Sequence, residues 1–144
     1  MKPEFTAYLK QLGATKPIQD RVEYLYCLCK NIFPGKIFID IFIDEYLNQD
    51  KSRQYTGLTF YSNDFNFSIE NFLVSERIEV THHRKVQNCV AITLQNFDFK
   101  KANDQSLMTI ELIYDSTPKG YYRASQKNCE HLVRMFKKYI KPAL

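Results

Sequence analysis

At 144 residues, with 44% hydrophobic and 25% charged side chains, the chain has the size and composition of one globular domain that buries a core without staples. The net charge of +4 admits an anionic partner but falls short of the dense basic footprint of a nucleic-acid binder. No apolar run approaches the length of a membrane span, and the N-terminus is too polar for a signal peptide. Aromatics make up 15%, all Phe and Tyr, which suits a β-rich core. Cys27, Cys29, Cys89 and Cys129 show neither CxxC spacing nor disulfide-rich density, and read as reduced, buried thiols of a cytosolic protein.

Residues 1–35 read as helical. Phe5, Tyr8, Leu9 and Leu12 form a short apolar face ending at Gly13. Pro17 opens a second helix in which Val22, Leu25, Leu28, Cys29 and Ile32 recur at helical spacing, and Pro34-Gly35 breaks it. This segment is an N-terminal helical extension packed on a sheet, or the tail of a preceding domain.

Lys36 to Leu47 alternates strictly, with Ile37, Ile39, Ile41 and Ile43 on one side and Phe38, Asp40, Phe42 and Asp44 on the other, a strand pattern. A second strand follows from Arg53 to Tyr61, where Gly57 marks a bulge or a close backbone approach. Asn63-Asp64 turns into Phe65, Phe67 and Ile69. Ile78, Val80 and His82 form a fourth strand, and Cys89 to Leu94 a fifth with Val90, Ile92 and Leu94 inward. After a polar loop, Leu107 to Tyr114 and Tyr121 to Ala124 complete seven.

The last helix starts at Ser125, a candidate cap, and places Cys129, Leu132, Val133, Phe136 and Ile140 on one apolar stripe before Pro142. The expected fold is therefore α+β. Residues 36–144 form a seven-stranded antiparallel β-barrel or sandwich closed by a C-terminal helix, and residues 1–35 a helical extension.

Three stretches resemble a known superfold. Gly57-Leu58-Thr59-Phe60-Tyr61 is similar to a G-L-x-x-Y strand, and Phe72 to Thr81 to an aromatic followed by spaced aliphatics. Tyr122-Arg123-Ala124, leading into the last helix, is similar to a Y-R-A entry. Together they resemble the pleckstrin-homology superfold, most closely phosphotyrosine-binding domains and the third lobe of FERM domains. The chain departs from the FERM pattern in lacking a tryptophan near the fourth strand. The resemblance implies a peptide groove between the fifth strand and the last helix, bordered by Cys89, Ala91, Thr93, Gln126, Cys129 and Val133. It also implies a headgroup-binding rim of Lys36, Lys51, Arg53, Arg84 and Lys85, set against the reading of these as scattered, solvated side chains.

No catalytic motif emerges. His82-His83 on a strand point to opposite faces and cannot readily share a metal ion, so His82-His83-Arg84-Lys85 reads as a basic hairpin tip. Asp40 and Asp44 share a strand face and read as solvated, and His131 as partly exposed beside the helix stripe. The expectation is a non-enzymatic, cytoplasmic interaction module without cofactor or metal, binding a protein or peptide by strand addition, with weak attraction to an anionic lipid surface and none to nucleic acid. The alternatives are a phosphoinositide-binding module and a helix-grip pocket for a small apolar ligand.

Overall fold

The computed structural model describes residues 1–47, 50, 52–74, 76–84, 89–97, 107–115 and 119–140, with backbone alone at Leu47, His83, Arg84 and Ile140. Two N-terminal helices, α1 (Pro3–Gln11) and α2 (Lys16–Ile32), precede the strands β1 (Phe38–Leu47), β2 (Arg53–Ser62), β3 (Phe65–Glu70) and β4 (Val80–Arg84). Then come β5 (Cys89–Gln95), β6 (Met108–Tyr114), β7 (Gly120–Ala124) and helix α3 (Lys127–Met135), which runs on into a π-helical segment, Phe136–Ile140. The fold is α+β with two antiparallel sheets, ordered β1-β2-β3-β4 and β5-β6-β7.

The helical pair forms because each helix carries an apolar stripe and a proline in its first turn, where the missing N–H costs nothing. Gly13, at φ 79°, ends the first helix in the left-handed conformation that glycine adopts without strain. Phe5, Leu9, Val22, Leu25 and Cys29 then bury themselves on one face of the four-stranded sheet, against Phe38, Ile41, Ile43, Leu58, Phe60 and Phe67. The opposite face gives Phe42 and Tyr61 to a second core with Ile110, Leu112, Tyr122, Cys129, Leu132, Met135 and Phe136. Strand β1 is thus covered on both faces, with apolar residues on each.

Register irregularities modify the expected alternation of β1. One between Phe38 and Asp40 turns Phe38 to the side of Ile41 and Ile43 and leaves Ile37 in solvent. Another, between Asp44 and Glu45, lies opposite Gly57 and Tyr55. A Cβ on Gly57 would stand 3.1 Å from that of Asp44, so the glycine there permits a close approach.

The sheets do not close into a barrel. β1 and β7 lie beside each other, but side chains take the bonds that a ladder would make. On β1, His131 Nε2 lies 2.7 Å from the Ile41 carbonyl, and Asn128 Nδ2 donates to the Ile43 carbonyl at 2.9 Å. The Ile43 N–H donates to the Tyr8 hydroxyl at 2.9 Å, and that hydroxyl donates to Asn128 Oδ1 at 2.7 Å. On β7, Arg123 N–H donates to Asp44 Oδ1, and Ser125 N–H, just beyond the strand, donates to Glu45 Oε2 at 2.6 Å. Each such bond contributes about 1 kcal/mol net, but leaving a buried backbone group unpaired costs more.

This seam also changes the last helix. Its buried face comprises Asn128, Cys129, His131, Leu132, Met135 and Phe136, a wider stripe than an apolar count predicts, while Val133 is only partly covered. Ser125 does not cap it. Gln126 occupies the cap position without a side-chain bond, and the Ser125 hydroxyl goes to Glu45 Oε2 at 3.2 Å.

Candidate functional site

The predicted peptide groove is only partly assembled. Cys129 is wholly buried in the second core, its thiol directed at the Ala124 carbonyl, and therefore cannot line a surface. Gln126 is exposed and accepts a bond from Arg53 Nη1 in β2 at 2.9 Å. Cys89 is half-buried and points its thiol to the Ala91 and Ile113 carbonyls, while Ala91 and Thr93 are exposed. Val133 is partly buried and packs from α3 onto the second core, as Ile92 does from β5.

The strand itself is open. A bulge between Cys89 and Ala91 disturbs its pairing with β6. Val90 and Leu94 are 56% and 44% exposed, and within β5 only Cys89 and Ile92 are partly covered. Among the described residues no strand pairs with its second edge.

The basic rim divides. Arg53 opens β2 and points inward: Nε stands 3.2 Å from the buried Glu45 Oε1, and Nη2 donates to the Leu12 carbonyl and the Tyr55 hydroxyl. Lys36 lies at the other end of the sheet, bound to Asp64 at 2.6 Å and over the Phe65 ring. Ten residues of β2 separate these ends, roughly 30 Å. The backbone of Arg84 pairs with Phe65 at the Lys36 end, whereas its side chain, Lys51 and Lys85 lie outside the described residues. Arg53 and Lys36 therefore do not form one rim.

The ionisable groups singled out by sequence are engaged in the seam. Asp44 is not solvated; it is 7% exposed and binds Arg123 through Nε and Nη2 and the Thr56 hydroxyl. Burial pushes its carboxyl upward, and the Arg123 bonds offset part of that rise. Glu45, wholly buried, is raised by the same cause, opposed by Ser125, Arg53 and Asn128. His131 is stacked on Tyr8 at 4.0 Å. Its Nε2 meets a carbonyl and must carry the hydrogen, so Nδ1 accepts from Arg134 Nη2 at 2.6 Å, the arrangement of a neutral ring. Cys29 is buried, and its thiol is pushed up to about 11. No group of three His, Cys, Asp or Glu among the described residues has metal-binding geometry.

One feature had no counterpart in the sequence reading. A cleft of about 340 Å³ lies between β7 and the half of the four-stranded sheet that the second core leaves uncovered. Thr56, Gly57, Thr59, Ser68 and Thr81 line the sheet side, and Lys119, Tyr121 and Arg123 the β7 side. Thr59 and Ser68 are direct cross-strand partners, as are Ser68 and Thr81, so three hydroxyl residues form a row across β2, β3 and β4. A short run of Thr and Ser at matching strand positions was the available signal, but it needs the register to be read. A second cleft, between α1 and α3, is floored by Tyr8 and His131 and flanked by Lys127, Glu130 and Arg134.

Compared with known proteins, the chain matches no family model, no curated protein and no solved structure.

Proposed function

We propose that this chain is a non-enzymatic interaction module of the pleckstrin-homology kind, which binds an extended peptide by adding it as a strand to β5. The observation that carries this reading is the openness of β5: one edge without a strand partner among the described residues, and two large apolar side chains, Val90 and Leu94, in solvent. An unpaired edge offers amides and carbonyls in register for an incoming strand, and exposed apolar side chains supply the burial that fixes it. The division into four and three antiparallel strands, followed by a helix, agrees with the resemblance seen in the sequence. The space between the sheets is filled by Phe42, Tyr61, Leu112, Tyr122 and Leu132, which favours recognition at the surface over an enclosed apolar pocket.

The test is a peptide-library selection on the full chain, with binders mapped by amide hydrogen exchange. Enriched peptides that protect β5 amides, and that Leu94→Lys abolishes without changing the melting temperature, support the reading. Failure to enrich any peptide, or protection confined to other strands, removes it.

A further inference from the structure

We infer that the cleft between β7 and the open half of the four-stranded sheet binds a small neutral polyhydroxyl ligand, of the class of a monosaccharide or cyclitol. This site is separate from β5 and does not rest on peptide binding. Its about 340 Å³ lies at the lower end of the range for small-molecule sites, which limits the ligand to roughly one ring.

Charge pairing selects against ions. Arg123 gives Nε and Nη2 to Asp44, and Lys119 lies 2.7 Å from Glu111. An incoming anion must compete with these carboxylates and with Glu70, which also lines the cleft, and an incoming cation meets the arginine and lysine beside it. A neutral hydroxyl displaces neither.

What remains are mixed donors and acceptors, the pattern that hydroxyl groups match because each both gives and accepts. Thr59 Oγ1 and Ser68 Oγ are 3.0 Å apart, so one hydrogen joins them and the second hydroxyl hydrogen is left for the cleft. Thr81 extends that row. On the opposite wall, the N–H of Arg123 points away from β6 toward Asp44. By the two-residue period of a strand, the N–H and C=O of Tyr121 share that side, adding a donor and an acceptor held fixed by backbone.

The rim supplies the apolar component. Tyr46 and Tyr121 are each 46% exposed, and the Arg123 guanidinium lies over each ring at 5.9 Å. Tyrosines placed in this way present ring surface to the C–H faces of a small ring while their hydroxyls remain wet.

The probes are glucose, N-acetylglucosamine and myo-inositol, titrated into the isotope-labelled full chain, with sodium acetate and sodium phosphate in parallel. Saturable shifts of the Gly57, Asn71 and Tyr121 amides with at least one neutral probe are expected. Thr81→Val and Tyr121→Ala should each weaken that binding about fivefold, the equivalent of one neutral hydrogen bond, with an unchanged melting temperature. The proposal is overturned if no neutral probe shifts these amides, if only acetate or phosphate does, or if both variants bind as the parent does.

Discussion

Asp44 Oδ1 accepts the backbone N–H of Arg123 at 2.7 Å, so a β1 carboxylate occupies the place on β7 that a neighbouring strand's carbonyl would take. The same carboxylate holds the Arg123 guanidinium, which ties the exposed cleft to the buried seam. An edge closed in this way does not offer a continuous template for another chain.

Asp44→Ala should therefore destabilise the protein by about 2–3 kcal/mol, less than a fully buried pair because Arg123 keeps contact with water. Asp44→Asn should recover part of the loss, since its amide oxygen can still accept the Arg123 N–H. Urea denaturation measures both, and a loss under about 0.5 kcal/mol for the alanine variant, within the range of ordinary surface substitutions, would mean the seam is held elsewhere.

His131 makes stability depend on pH. Burial lowers its pKa, and the nearby Arg134 charge adds to this, against the Ile41 carbonyl and the Asp40 carboxylate 3.7 Å away. Above about pH 6.5 both folded and unfolded rings are neutral and the term is constant. Below it the unfolded chain takes up a proton that the folded ring resists, so stability falls until the folded pKa is passed. Denaturation midpoints between neutral and mildly acidic pH should drop for the parent and drop less for His131→Gln. Equal slopes would assign the pH dependence to other groups.

Gly57→Ala should cost about 1–2 kcal/mol, because the new methyl meets the Cβ of an Asp44 anchored by Arg123. Thermal unfolding decides it; an unchanged melting temperature would show that β1 yields at the bulge.

Phe136→Ala should cost about 3–5 kcal/mol. The ring is 5% exposed, packs 5.1 Å from Phe97 and ends the buried face of α3. A loss below about 1 kcal/mol in chemical denaturation would make the final helix peripheral.

The strands were legible because alternation and turn residues are local. All seven expected segments are found, each within about two residues of its predicted limits, the ordinary spread of boundary assignment. Gly57 was readable for the same reason, as a residue without a side chain inside a strand. What misled were features set by partners distant in sequence. Asp44 looks like a solvated acid until Arg123 is brought to it. Phe72 gives no strand or helix signal, yet it is fully buried in the first core, where Arg21 Nε binds its carbonyl. Val90 and Leu94 fit an inward alternation yet are half exposed, because cover on a strand with an unpaired edge depends on neighbours distant in sequence. The groove prediction placed Ala91 and Thr93 at the surface, where they are, but counted Cys129, which is core. It also assumed that a helix stripe is apolar, whereas Asn128 and His131 were recruited to the edge of β1.

The Tyr8–Asn128 bond joins residues 120 positions apart. A contact of that span forms only after the intervening chain has ordered, since the entropy of closing so long a loop is recovered only when the native contacts on either side exist. Tyr8→Phe should therefore speed unfolding and leave the folding rate nearly unchanged, a result that stopped-flow kinetics would reverse if the first helix belonged to the folding nucleus. During synthesis Tyr8 is made 120 residues before Asn128, the side chain that satisfies its hydroxyl. The first helix must wait for α3 to complete its docking.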